Sequence, residues 1–184
     1  MGRWRPPPPK SSNYITPEGA DTLRRELDHL WKTKRPAVTR AVSEAAAQGD
    51  RSENAEYIYG KKQLAEIDRR VRYLRKRFDG MRIVDRPPSD TTRVFFGAWF
   101  ELQDGADTRA YRLVGPDEVG FHDSYVSMDS PLGKAAMGKA VGDAFVLRAP
   151  QGERQLRVTA VNYRQSGDKK KPGTSPGESQ GEIG

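Results

Sequence analysis

The chain has 184 residues, a formal net charge of +7, 31% charged and 35% hydrophobic residues, and no cysteine. That length suits one domain with an extension or two small domains. The missing thiols exclude a disulfide framework or a thiolate-bound zinc and fit a reducing cytoplasm. No apolar run approaches a membrane span, and residues 1–16 hold Arg3, Arg5 and Lys10 around Pro6–Pro9 without the apolar core of a secretory signal.

Residues 1–13 are Pro-rich and polar and read as a disordered or polyproline-like arm. Thr16 is then a suitable N-cap, Pro17 suits the first helical position, and Glu18 favours the positive end of a helix. Leu23, Leu27, Leu30, Val38, Val42 and Ala45 recur at helical spacing, with Pro36 expected to bend this arm rather than end it. Further on, Leu64, Ile67, Val71, Leu74, Phe78 and Met81 step by three and four, the seam of a coiled coil. Two such segments joined by a short turn predict an antiparallel helical hairpin over residues 14–85, with its tip at about 49–57. Arms of about 28 residues reach roughly 40 Å at 1.5 Å per residue. Gly49 suits the end of the first arm, and Gly60 lets the arms approach closely near the tip.

Arg86-Pro87-Pro88-Ser89-Asp90 marks a boundary, after which the pattern changes to short strands. Strands are expected at Val94–Leu102, Arg109–Val114, Ser124–Ser127, Ala144–Leu147 and Gln155–Val161. Ser130 and Pro131 open one short helix between them. The fold class is therefore α+β: a long N-terminal coiled-coil hairpin, then a small α+β domain over residues 86–164. The tail over 165–184 reads as disordered.

Charge is unevenly placed. Residues 61–78 hold eight basic side chains against Glu66 and Asp68, whereas residues 80–165 have eleven of each sign. The turn 49–60 holds Asp50, Glu53 and Glu56 against Arg51. A basic stripe on one helix is the footprint of a nucleic-acid backbone, although a coiled coil's solvated face is also rich in Lys and Arg. At the tip, Asp50 and Glu53 are ionised at neutral pH and lie three residues apart. Such oxygens suit Mg²⁺, which is held by one or two carboxylates with water and phosphate filling the rest. Two carboxylates make half a metal site, and the only histidines, His29 and His122, are far along the chain. Asp50-x-x-Glu53 also matches a capping box, with Ser52 as a rival cap.

Five blocks together resemble a known family: Tyr14-Ile15-Thr16-Pro17-Glu18-Gly19, Gly49-Asp50-Arg51-Ser52-Glu53-Asn54-Ala55-Glu56-Tyr57, Ile67-Asp68-Arg69-Arg70-Val71-Arg72-Tyr73-Leu74, Val94-Phe95-Phe96-Gly97-Ala98-Trp99 and Asp129-Ser130-Pro131-Leu132-Gly133-Lys134. In order and spacing over about residues 13–164, they are similar to bacterial Gre transcript-cleavage factors, the GreB branch in particular. The resemblance implies an FKBP-like C-terminal domain. It implies that the coiled coil enters the secondary channel of a backtracked RNA polymerase. There, Asp50 and Glu53 help hold the catalytic Mg²⁺ while the polymerase hydrolyses its RNA near the 3′ end. It further implies RNA contacts from the basic stripe, here Arg51, Lys61, Lys62, Arg69, Arg70 and Arg72, and docking on the channel's rim through Asp129, Ser130 and Pro131. The expected factor is cytoplasmic, monomeric, independent of membranes and not itself an enzyme. Two other classes stay open at this point: a channel-occupying regulator without cleavage activity, and a polymerase-independent nucleic-acid-binding module.

Overall fold

The computed structural model describes residues 11–48, 53–149 and 152–163. Most of the Pro-rich arm, the tip positions Gly49, Asp50, Arg51 and Ser52, and the tail lie outside the described residues.

Helix α1 (Pro17–His29) begins as its sequence directs, with the Thr16 hydroxyl accepting from Gly19 N–H and proline in the first turn. Five residues of π-helix follow, Leu30–Lys34, and then α2 (Arg35–Ala47). The Arg35 N–H bonds to Leu30 O, five residues back. A π turn takes one residue more than an α turn. The seam requires that residue: Leu30 to Val38 spans eight positions, one more than a heptad. The adjustment expected at Pro36 thus lies just upstream of it, because a residue without an N–H cannot close the α bond to Lys32. Helix α3 (Ala55–Gly80) returns antiparallel to α2.

Between the arms, Val38, Ile67 and Val71 form one buried cluster with Val42 and Leu64, and Ile15, Ala20, Leu23 and Leu74 form another with Phe78 and Met81. Apart from Ile15 and Ala20, which join from the start of the hairpin, these are the seam positions read from the sequence. Near the tip Gly60 is buried, and a Cβ there would lie 2.6 Å from Val42 Cγ2. The close approach that the sequence suggested is real, and glycine is what permits it.

At the base, β1 (Tyr14–Ile15) runs parallel to β2 (Arg82–Ile83) and ties the two ends of the hairpin together. The second unit is a five-stranded sheet of β3 (Trp99–Asp104), β4 (Asp107–Val114), β5 (Tyr125–Ser127), β6 (Ala144–Ala149) and β7 (Gly152–Asn162), in the order β5-β4-β3-β7-β6. All neighbours are antiparallel except β4 and β5. Helix α4 (Pro131–Ala136) carries the Ser130 cap and leading proline expected of it, and Ala136 joins Phe100, Leu102, Leu113, Leu156 and Val158 in the sheet's core. One strand is shorter than its sequence suggests. The run from Val94 to Ala98 is irregular chain with a turn at Phe96 and Gly97, and β3 starts only at Trp99. Gly97 at φ 85° turns the chain, so Val94 and Ala98 reach the core outside the regular strand, although Gly97 N–H and Ala98 O still bond to Leu113 of β4 at 2.8 and 2.9 Å.

The two units meet through a buried polar joint. Glu118, on the 3₁₀ turn Pro116–Phe121, is fully buried against the start of α1. Its carboxylate accepts from Gly115 N–H (2.9 Å), Thr16 N–H (3.2 Å) and the Thr16 hydroxyl. Burial pushes its carboxyl above the ordinary glutamate range, and these hydrogen bonds offset part of that rise. Beside it Arg77 of α3 donates to Asp117 (2.7 Å), Asn13 Oδ1 (2.9 Å) and Ser12 O (2.8 Å). Both charged side chains of the Arg77–Asp117 pair are largely withdrawn from solvent.

Candidate functional site

The turn at the hairpin's far end is organised by Asn54. Its Oδ1 accepts from Tyr57 N–H at 3.1 Å and caps α3, while its Nδ2 donates to Ala45 O at 3.0 Å. That carbonyl lies in the last turn of α2 and also accepts from Gln48 N–H at 3.2 Å. One amide therefore serves both helix ends, which a carboxylate cannot do because it has no donor. This corrects the capping-box reading. The helix starts at Ala55, too late for Asp50 or Ser52 to be its N-cap, and Glu53 precedes the cap instead of standing three residues inside the helix. Glu53 is exposed in the turn, and Glu56 is exposed in the first turn of α3. Asn54→Ala should lower stability by about 1–2 kcal/mol, with Asn54→Asp in between because it keeps the cap and loses the bridge. Urea unfolding measures the difference, and an alanine variant as stable as the parent would remove Asn54 from this role.

Next to the tip, Ile58 and Tyr59 are 53% and 68% exposed. Large apolar side chains this open at the end of a rod are suited to contact with another surface. Periodicity had not singled them out, since they are off the seam.

The basic residues of α3 fall into two sets. At 100° per residue, Lys61, Lys62, Arg69, Arg72, Arg75 and Lys76 lie within about 140° of one another, and Arg70 and Arg77 fall outside that arc. All six in the arc are exposed, and among the described residues none is ion-paired to a carboxylate. Arg72 only reaches back to Asp68 O at 3.3 Å. By contrast, Arg70 holds Glu26 through two bonds of 2.6 and 2.8 Å, and Arg77 holds Asp117. The Glu26 pair holds Arg70's guanidinium in its protonated form more firmly than usual. Of the nucleic-acid candidates, Lys61, Lys62, Arg69 and Arg72 share one open face. Arg70 is committed to the hairpin's own cohesion, and Arg51 lies outside the described residues.

In the second domain, the docking candidates stand together before α4. Pro131 is exposed, while Asp129 and Ser130 are half-buried. The Ser130 hydroxyl accepts from Gly133 N–H at 3.0 Å, and Asp129 accepts from Ser12 N–H at 2.8 Å. The loop is thus fastened to the segment that leads into the hairpin. Among the described residues no group of three or more His, Cys, Asp or Glu is placed to hold a metal, and no helix is long and apolar enough to cross a membrane.

Residues 13–83 match the family model "Transcription elongation factor, N-terminal", and residues 89–163 match "Transcription elongation factor, GreA/GreB, C-term". Transcription elongation factor GreB of Xanthomonas axonopodis pv. citri is 53% identical over 165 residues, covering 89% of this chain and 98% of that protein. GreB of Pseudomonas aeruginosa is 52% identical over 164 residues with the same coverage. Among solved structures, the GreA factor homolog of Thermus thermophilus is 25% identical, covering 81% of this chain and 97% of that one, with a TM-score of 0.38. With both halves matched in order and half of the residues shared with full-length GreB proteins, the chain belongs to the GreA/GreB family of transcription elongation factors.

Proposed function

We propose that the hairpin is a probe that enters the secondary channel of a backtracked RNA polymerase and stimulates the polymerase's own hydrolysis of RNA near its 3′ end. The observation that carries this reading is the tip. Asn54 does the capping, so the exposed Glu53 carboxylate is not consumed by the fold. Asp50 and Glu53 are hard oxygen donors of the type Mg²⁺ takes, too few to hold the ion alone, and would share it with carboxylates of the polymerase. Bound there, the ion supplies Lewis acidity that activates water and steadies the departing oxygen. Water adds to phosphorus as the P–O3′ bond breaks, leaving a 3′-hydroxyl on the retained RNA and a 5′-phosphate on the released fragment. The protein contributes placement: a stiff rod fixes the carboxylates, and most of the gain comes from positioning.

The remaining surfaces fit the same role. Ile58 and Tyr59 meet the channel wall near the tip. Lys61, Lys62, Arg69 and Arg72 face the extruded RNA, and the Asp129–Pro131 loop meets the channel's rim. The factor works as a cytoplasmic monomer.

Adding the protein to stalled complexes of purified polymerase tests the proposal. Shortened RNA with a released 3′ fragment is the expected result. Slowed synthesis without fragments would identify a channel-occupying regulator instead, and tight, salt-sensitive binding to free RNA without polymerase association would identify a binding module.

A further inference from the structure

The geometry points to a base-stacking site for single-stranded RNA at Trp31 and Arg75, at the base end of the open cationic face. This rests on the reading that extruded RNA runs along the hairpin. The π turn Leu30–Lys34 leaves Leu30 packed with the seam clusters and turns Trp31 outward, 43% exposed. Two guanidinium groups stand over its ring, Arg75 at 4.3 Å and Arg35 at 5.3 Å from the centroid. They differ in what else they hold. Arg35 donates to Asp68 at 2.7 Å, whereas Arg75 has no hydrogen bond or ion pair among the described residues. Arg75 is thus placed by the indole and keeps its N–H donors available.

A half-exposed indole with an arginine stacked on it, its N–H donors free, is a pairing that single-stranded nucleic acid uses, with bases stacking on the guanidinium plane or the open part of the ring and phosphates meeting the N–H groups. Position favours RNA over a protein surface as the occupant. Arg75 belongs to the same arc as Lys61, Lys62, Arg69, Arg72 and Lys76, so the stacking site ends a basic track about 21 Å long at 1.5 Å per residue, broken between Lys62 and Arg69, where Asp68 is paired to Arg35. Trp31 lies about twenty residues from the tip, roughly 30 Å along the rod. Only RNA extruded over several nucleotides reaches it.

The test uses the full chain, a labelled oligouridylate and fluorescence anisotropy across a salt series. Trp31→Ala should weaken binding roughly tenfold with an unchanged salt slope, because stacking neutralises no phosphate. Trp31→Phe should retain most of the affinity, and Arg75→Ala should lower the slope by about one. An alanine variant that binds as well as the parent, or a phenylalanine variant as weak as alanine, overturns the site. A second readout uses polymerase complexes: Trp31→Ala should slow cleavage in deeply backtracked complexes and spare those backtracked by one or two nucleotides. Equal slowing of both would mean that Trp31 contacts polymerase instead of RNA and would overturn the inference. Asp50→Asn should leave oligouridylate binding intact, so the stacking site and the cleavage role can fail separately.

Discussion

Asp50→Asn should reduce stimulated RNA cleavage by roughly 100-fold or more, since even groups that only support a metal ligand cost 10- to 100-fold when removed. Asparagine keeps the size and the local turn preference of aspartate and removes the charge and one hard oxygen. Glu53→Gln should act alike. Because Asn54 caps α3 and ties it to Ala45 O, neither change should lower stability or polymerase binding by more than a small factor. That separation is the diagnostic: cleavage is lost, yet the variants still compete with the parent protein for the polymerase. Raising Mg²⁺ should recover part of the activity, because a weakened site is refilled by mass action. Cleavage by Asp50→Asn at the parent rate would end the shared-metal proposal, whatever the fold.

Glu118→Ala should lower stability by about 3 kcal/mol, among the larger effects of single substitutions. Removing the carboxylate strands the Thr16 and Gly115 N–H groups and the Thr16 hydroxyl in a buried place, at about 1–3 kcal/mol for each group that water does not reach. Gly19 packs against that carboxylate so closely that a Cβ there would overlap it, as a Cβ on Gly115 would overlap Tyr14 O. The joint therefore has little room to adjust. Glu118 also gives the joint a pH dependence. Its carboxyl is raised from the ordinary 4.5, chiefly by burial, so the folded chain holds that proton more tightly than the unfolded chain. Its contribution to stability is fully present below the ordinary value and is lost as pH rises through the raised one. Glu118→Gln cannot titrate. The stability difference between parent and glutamine variant should shift in the variant's favour on going from about pH 4.5 to pH 7. Urea unfolding at several pH values reads this, and a constant difference would mean that folding leaves the carboxyl's proton affinity unchanged.

Much of the hairpin was already legible in the chain. The three–four stepping from Leu64 to Met81 leaves one way to bury those side chains, and Thr16-Pro17 can start only a helix. The short helix after Ser130 follows by the same logic. The basic stripe and the acidic turn were legible because net charge accumulates along the sequence whatever the fold. What stayed hidden were choices settled by contacts distant in sequence. Asn54 looked like one more polar residue in the turn until Ala45 O came within its reach. Arg70 looked like its basic neighbours until Glu26, 44 residues away, was placed beside it. The run at Val94–Ala98 has the composition of a strand, and the turn at Gly97 leaves it with separate backbone bonds instead of a continuous strand. Glu118 carried no local sign of being buried. The sequence by itself determined which faces are apolar, where the helices begin and where the charge lies, because those follow from spacing and residue chemistry. Only the tertiary structure decided which donor meets which acceptor and which cations remain free, because in a folded chain a polar group's partner is set by geometry across elements.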